Sequence, residues 1–258
     1  MERRPKVTPK VATNPRLRKM GLALGYSPAY LTENSDGIRR DWPRIPLPAD
    51  RKALEASAAL GEQIAVLLDT EDDVPGVTNG KFQPLFLSIA ALSKIGDGNL
   101  DPNTNDFAVT AGWGHFGKEG VTMPGKGILQ ERDYNEDEAK AIDAEATARG
   151  MSAEDARRLL GEKTCDVYLN LAAYWRNIPL NVWEYYIGGY QVIKKWLSYR
   201  EGGILGRALK PEEVREVMNM ARRLAAIRTE MGMGIAAPFS GVLGRSGVIG
   251  RFKILSAR

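Results

Sequence analysis

The sequence contains only one cysteine and one histidine in 258 residues, Cys165 and His115. A single cysteine excludes an internal disulfide and is typical of the reducing cytoplasm, where we expect this chain to work. One residue of each kind also excludes a structural zinc site and a metal site with several histidines. Any Ser-His-Asp triad would have to use His115, and the G-x-S-x-G motif is missing. The sequence therefore predicts no metal site.

Long apolar runs are missing as well. No uninterrupted apolar stretch reaches the roughly 18 residues that a membrane-spanning helix needs, so we predict no membrane partner. The net charge is +4, from 36 basic and 32 acidic residues, and its distribution matters more than the total. Basic side chains outnumber acidic ones by seven to one in residues 1–20 and by eight to four in residues 190–223. These stretches favour an acidic partner.

The chain divides into four predicted segments. Residues 1–20 lack an apolar period and are predicted to be a basic disordered arm. Residues 21–75 form a connector with one helix, which starts near Asp50 because apolar residues then recur at three- and four-residue steps. Residues 76–229 form the main domain, and residues 230–258 form a glycine-rich tail that we expect to add little to the fold.

Several elements of the main domain are visible in the sequence. Residues 107–111 are predicted to be a strand, and residues 165–169 alternate as a second strand would. Asn135 and Ser152 are predicted to cap two helices. The last helix follows Pro211, which suits a first helical turn. Its unbroken apolar stripe contains Val214, Val217, Met218, Ala221, Leu224 and Ala225.

Two glycine-rich motifs resemble nucleotide-binding loops. Residues 112–117 match G-x-G-x-x-G, but the glycines and proline that follow prevent the helix that such a site needs. Residues 120–126 match most of a P-loop, but Gly127 stands where Mg²⁺ needs a hydroxyl group. A glycine-rich turn is the better interpretation of both, and Lys118 and Lys126 suit a DNA phosphate better than ATP. His115 is either an ordinary turn residue or a contact to a base or phosphate.

Residues 183–201 combine tryptophan and tyrosine with Gln191, two lysines and an arginine around a Gly-Gly pair. Cations neutralise phosphates, and amides and guanidinium groups read base edges, so this pattern indicates a nucleic-acid surface. The alternative is a buried helix with one apolar stripe, and both can hold at once because the polar side chains fall on other faces. The stripe would contain Tyr190, Ile193, Trp196 and Leu197.

The same segment resembles the C-terminal specificity region of type ISP restriction–modification enzymes, and the resemblance covers about residues 21–228. Residues 25–30 (Gly-Tyr-Ser-Pro-Ala-Tyr) and 36–48 are similar to the passage from a methyltransferase domain into a target-recognition domain. The other similar stretches are 112–115 (Gly-Trp-Gly-His), 123–127, 166–170, 174–179, 205–214 and 222–226. The tail after Thr229 departs from the family.

The resemblance implies an α+β fold, with helices flanking a small irregular sheet and an N-terminal helix that would pack on a methyltransferase domain. It also implies sequence-specific binding of double-stranded DNA, with lysines and arginines on phosphates and a few side chains in the major groove. The candidate contacts are Trp113, His115, Lys118, Lys126, Gln191, Lys194, Lys195, Tyr199 and Arg200. Trp183, Trp196 and Tyr190 are predicted to belong to the core instead.

Full-length relatives are expected to use S-adenosylmethionine, ATP and Mg²⁺ in nuclease, ATPase and methyltransferase modules. We expect none of these cofactors on this chain. An adenine methyltransferase of this family holds its flipped base with an Asn-Pro-Pro-Tyr type motif. The nearest string, Asn-Pro-Arg-Leu at residues 14–17, lacks the second proline and the aromatic residue. The sequence therefore predicts no catalysis by this chain alone.

Two alternatives to a stand-alone recognition domain remain. The chain can be one subunit of an adenine N6 methyltransferase whose catalytic half is a separate polypeptide, which mixing the two chains would reveal. It can also be an inactive remnant, an interpretation that the divergent tail favours. A remnant would bind no DNA above the non-specific level.

Overall fold

The structure is a computed structural model that describes residues 14–40, 45–46, 48, 50–96, 98–187, 189–234 and 248–249. The chain forms two compact units. The first contains residues 1–72 and 227–258, and the second contains residues 73–226. We describe each unit by itself.

The first unit is mainly helical. Its elements are α1 (Pro15–Tyr26), α2 (Pro28–Glu33), α3 (Ser35–Arg40), the two-residue strand β1 (Ile45–Pro46) and α4 (Arg51–Leu68). Helix α1 packs against α4, and both helices have buried apolar residues, Met20 and Leu24 on α1 and Leu60 and Ile64 on α4. The two backbones touch at Gly61, where an added Cβ would lie 1.9 Å from the carbonyl oxygen of Lys19. The predicted helix after Asp50 is confirmed, and the Asp50 side chain caps it by accepting from the N–H of Ala53.

The prediction of an irregular basic arm is wrong for residues 15–20. They belong to α1, which starts with Pro15 at its first position and is capped by Asn14. The sequence signal for this helix is its cap and proline rather than an apolar period, because arginine and lysine occupy much of its first turns. The rest of the predicted arm, residues 1–13, lies outside the described residues.

The predicted tail also contains ordered structure. The last helix extends to Gly234, five residues beyond Thr229, and Met231 on it is buried. Strand β10 (Val248–Ile249) pairs antiparallel with β1, so Ile45 faces Ile249. The predicted boundary after Thr229 therefore falls inside the last helix, and the segment beyond it contains a further strand.

The second unit is built around a four-stranded antiparallel sheet. Its strands are β2 (Ala91–Lys94), β5 (Leu129–Arg132), β6 (Thr164–Tyr168) and β7 (Ala173–Pro179), in the order β2-β7-β6-β5. Helices α5 (Pro84–Ser88), α6 (Glu136–Ala148), α7 (Ala153–Leu160) and α8 (Leu180–Trp183) accompany it. The predicted α+β class is confirmed. The central strands are buried, with Val167, Trp175 and Ile178 fully inaccessible.

Two two-stranded hairpins and three further helices complete this part of the chain. The first hairpin consists of β3 (Gly114–Phe116) and β4 (Thr122–Pro124), and the second consists of β8 (Tyr186–Ile187) and β9 (Tyr190–Gln191). The helices are α9 (Val192–Ser198), α10 (Gly202–Leu205) and α11 (Pro211–Gly234). All predicted stripe residues of α11 are buried except Met218, which is half-buried.

Helix caps were predictable from the sequence, whereas one strand was not. Asn135 and Ser152 cap α6 and α7 as predicted. The predicted strand at residues 107–111 is wrong: a 3₁₀ turn (Asn105–Phe107) is followed by extended chain outside the sheet. Its backbone bonds to loops instead, as Thr110 donates to the carbonyl of Leu169, at 2.8 Å, and Val109 accepts from Gly202, at 2.6 Å.

Candidate nucleic-acid interface

The two sequence segments that suggested nucleic-acid binding lie together in the second unit. Helix α9 contacts both hairpins, β3–β4 through both strands and β8–β9 through β9. Contact with the first hairpin is close, because an added Cβ on Gly114 would lie 2.0 Å from the carbonyl oxygen of Ser198. We call residues 114–126 and 186–199 the hairpin–helix surface. It brings together seven of the nine predicted contact residues.

Trp113 is the first of the two exceptions. Its side chain is fully buried, its indole N–H donates to the carbonyl of Tyr168 at 2.7 Å, and its ring meets Trp183 edge to face at 5.2 Å. The prediction that Trp113 contacts DNA is therefore corrected: it is a core residue, like Trp183, for which burial was predicted. Within the Gly-Trp-Gly-His stretch that resembles the family, the tryptophan therefore serves packing.

The glycines around Trp113 are explained by close approach rather than by a nucleotide. An added Cβ on Gly127 would lie 2.1 Å from the Trp113 ring, and one on Gly125 would lie 2.2 Å from the carbonyl oxygen of Gly112. Strand β5 follows Gly127 where a P-loop requires a helix. These glycines shape a turn over the tryptophan, as the sequence predicted.

A carboxylate that sequence reasoning missed holds this turn in place. Glu201 accepts hydrogen bonds from the backbone N–H groups of Gly112, at 3.2 Å, and Trp113, at 2.7 Å. Because Glu201 lies between α9, which ends at Ser198, and α10, which begins at Gly202, it ties the base of the β3–β4 hairpin to this junction. The two partners are 88 and 89 residues apart in the sequence, so no local signal could have revealed the pairing.

Lys195 lies between two tyrosine rings. Its ammonium nitrogen is 4.7 Å from the ring centre of Tyr190 and 4.6 Å from that of Tyr199. Both tyrosines are exposed, at 57% and 46%, so the prediction that Tyr190 belongs to the core is wrong. Tyr190 lies on β9 and precedes α9, which breaks the helical spacing on which that prediction depended. The two rings hold the Lys195 cation at the surface.

Four predicted cations of this surface have no acidic partner among the described residues: Lys118, Lys126, Lys194 and Lys195. Lys118 and Lys126 are exposed, Lys118 at the turn of the first hairpin and Lys126 just after it, and Lys194 and Lys195 on α9 are half-buried. His115 is exposed on β3, opposite Met123. Cations without ion pairs leave their charge available to an anionic ligand.

Gln191 and Arg200 have partners within the protein. The Gln191 amide donates to the carbonyl of Trp183 at 2.6 Å, which ties the second hairpin to α8. Arg200 stacks on Trp196, 3.7 Å from the ring centre, and lies 3.6 Å from a Glu216 oxygen. Arg200 is the second exception and is assigned to a structural cluster. Trp196 belongs to the same cluster, because its N–H donates to Glu216 at 3.0 Å. Its side chain is half-buried, so it is less buried than predicted.

Sequence reasoning also missed exposed apolar side chains on the first hairpin. Phe116, Val121 and Met123 are exposed by 58%, 57% and 46%. The signal was present as two short β-rich runs separated by a turn with two glycines. It was hidden because the P-loop and G-x-G-x-x-G patterns cover the same residues.

The remaining site chemistry is sparse. Among the residues that the structure describes, no three His, Cys, Asp or Glu side chains are grouped as metal ligands. Burial raises the pKa of Cys165 well above its ordinary value, so the thiol is not a poised nucleophile. Over the same described ranges, no helix is both long and apolar enough to cross a membrane.

An α+β scaffold that presents unpaired cations and exposed aromatic rings on hairpins is typical of a binding domain. The family model for the type ISP C-terminal specificity domain matches residues 22–225, and the chain belongs to this family. The resemblance stated from the sequence motifs is thus confirmed over nearly the same range. Comparison with curated proteins and with solved structures gave no match.

Proposed function

We propose that the chain is the DNA target-recognition domain of a type ISP-like restriction–modification system and binds double-stranded DNA in a sequence-specific manner. The main support is the hairpin–helix surface, where Lys118, Lys126, Lys194 and Lys195 lack acidic partners among the described residues. Lys195 also lies against the exposed rings of Tyr190 and Tyr199. Phosphate contacts of this kind set the register of a protein on duplex DNA. The expected location is the cytoplasm, where the DNA is.

The elements of the surface support a duplex as ligand. Two-stranded β-ribbons bind duplex DNA in the major or the minor groove, and the surface offers the β3–β4 ribbon beside α9. His115 and Lys118 on the ribbon are the exposed side chains able to bond base edges or phosphates. We therefore assign base reading to the ribbon and phosphate contact to the lysines of α9.

Selection from random duplex DNA tests this function. The purified chain should enrich one short motif, and the motif should bind well above the level of scrambled duplexes at the same salt concentration. Enrichment of no motif, with binding at the non-specific level only, would favour the inactive remnant instead.

The lysines of α9 give a sharper prediction. Lys195→Ala should lower affinity for all sequences and reduce the slope of log K against log salt by about 1, because one phosphate contact is lost. Lys194→Ala should do the same if its amine also reaches a phosphate. Lys140→Ala, an exposed lysine on α6 that lies near Glu136 and Asp137, is the matched control and should leave the slope unchanged. Unchanged slopes for both α9 variants would remove this helix from the interface.

Methyl transfer distinguishes the recognition domain from a two-chain enzyme. Alone, with S-adenosylmethionine and duplex DNA, the chain should transfer no methyl groups, because the base-holding motif is missing from its sequence. Methyl transfer that appears only on mixing with a separate catalytic chain would support the subunit alternative. Methylation by the purified chain alone would overturn the proposal.

A further inference from the structure

The β3–β4 hairpin is short, yet three large apolar side chains on it are exposed. Phe116 and Val121 flank the turn and are exposed by 58% and 57%, and Met123 follows at 46%. Within the described residues the turn itself, Lys118–Gly120, is exposed throughout. The register pairs Phe116 with Thr122 on one face of the ribbon and Met123 with His115 on the other. Exposed large apolar side chains on a hairpin mark an interaction site, because their contact with water is unfavourable.

The hairpin is held firmly at its base. Gly114 lies against the backbone of Ser198, and the Glu201 carboxylate bonds the N–H groups that lead into β3. Across the hairpin, Gly125 donates to the carbonyl of Trp113 at 2.6 Å, and Gly117 donates to that of Val121 at 2.7 Å. A ribbon anchored in this way can present a side chain without losing much freedom on binding.

The charged residues around the β3–β4 hairpin indicate which kind of ligand binds there. Lys118 at the turn and Lys126 beyond β4 have no acidic partner among described residues, and the α9 lysines lie on the neighbouring helix. One acid, Glu119, lies at the turn itself. Apolar side chains bracketed by free cations fit DNA, whose phosphates flank a stack of apolar base faces.

On the basis of the proposed function, we propose that the β3–β4 ribbon inserts Phe116 between adjacent base pairs of duplex DNA. Proteins that insert phenylalanine or methionine in this way do so from the minor groove, unstack one step and kink the duplex. Pyrimidine–purine steps unstack most easily, so the recognised motif should contain a TA or CA/TG step at the insertion point. The wedge therefore adds sequence preference without hydrogen bonds to the bases.

A fluorescent base measures the insertion. Duplexes carrying the selected motif are labelled with 2-aminopurine at successive positions, since this base brightens when it is unstacked. The wild-type chain should raise the fluorescence at one step, and that step should be TA or CA/TG. Phe116→Ala should lose the increase yet keep the wild-type salt slope, and Phe116→Trp should restore it. Leu171→Ala, at an exposed turn in the same unit, is the control and should behave as wild type.

The outcomes separate the wedge from the proposed function. Binding of the selected motif without a fluorescence increase at any position would overturn the wedge and leave the recognition domain intact. Absence of binding would overturn both. Self-association of the wild type in sedimentation, abolished by Phe116→Ala, would show that a second copy covers the hairpin and would overturn the wedge. Circular dichroism melting confirms that each variant is folded.

Discussion

We expect Trp113→Ala to lower the free energy of unfolding of the second unit by about 3–5 kcal/mol, the usual cost of removing a buried large aromatic side chain. The indole is fully buried, and Gly127 lies against its ring, so its removal leaves a cavity. It also removes the hydrogen bond to the carbonyl oxygen of Tyr168 and the ring contact with Trp183. Urea denaturation followed by circular dichroism measures the change.

Trp196→Ala is the matched control, because this tryptophan is half-buried beside α11. It should cost clearly less than Trp113→Ala. A loss below about 1 kcal/mol for Trp113→Ala would contradict the core assignment. Trp113→Phe distinguishes packing from DNA contact, since it keeps most of the buried volume. If the folded Trp113→Phe variant binds DNA much more weakly than wild type, the original interpretation of Trp113 as a contact returns.

The helices with clear periodicity or caps could be predicted from the sequence. The stripes of α4 and α11 and the caps Asp50, Asn135 and Ser152 are local signals, and each is found in the structure. Helix α1 was missed because its buried face is narrow and its partner, α4, lies about thirty residues away. Tertiary packing rather than propensity stabilises such a helix.

The candidate surface could be predicted only in part, for the same reason. Composition identified both of its segments, but the exposure of each side chain depends on contacts between them. Tyr190 and Trp113 were assigned the wrong way round: Tyr190 is exposed because it lies on a hairpin, and Trp113 is buried under a glycine turn. Arg200 looked free in the sequence and stacks on Trp196 in the structure.

The second large effect is expected at Arg132, whose guanidinium group joins two buried carboxylates. It donates to both oxygens of Glu138, at 2.7 and 2.9 Å, and to both oxygens of Asp166, at 2.9 and 3.0 Å. These hydrogen bonds, first to Glu138 and then to Asp166, raise the pKa of Arg132 against the opposing effect of burial. The cluster links β5, α6 and β6 and has no counterpart in the local sequence pattern.

Both carboxylates also accept hydrogen bonds from the backbone, which keep them in place. Glu138 completes the capping box of α6 by accepting from the N–H of Asn135 at 3.0 Å. Asp166 accepts from the N–H of Asn177 at 2.9 Å, where the backbone has a φ of 59° and the β6–β7 register shifts. Neither acid can turn out to water without breaking these bonds. Arg132 is therefore the main compensating charge for both, and Glu138 has a second, longer pair with Arg176 at 4.0 Å.

We therefore expect Arg132→Leu to cost about 3–5 kcal/mol at neutral pH, because it removes the cation paired with buried Asp166 and leaves Glu138 with only the longer pair to Arg176. Arg157→Leu is the matched control, since its pair with Asp143 is largely exposed and should contribute at most about 1 kcal/mol. Urea denaturation of both variants at pH 7 measures this. A small penalty for Arg132→Leu would show that the cluster contributes shape rather than charge compensation.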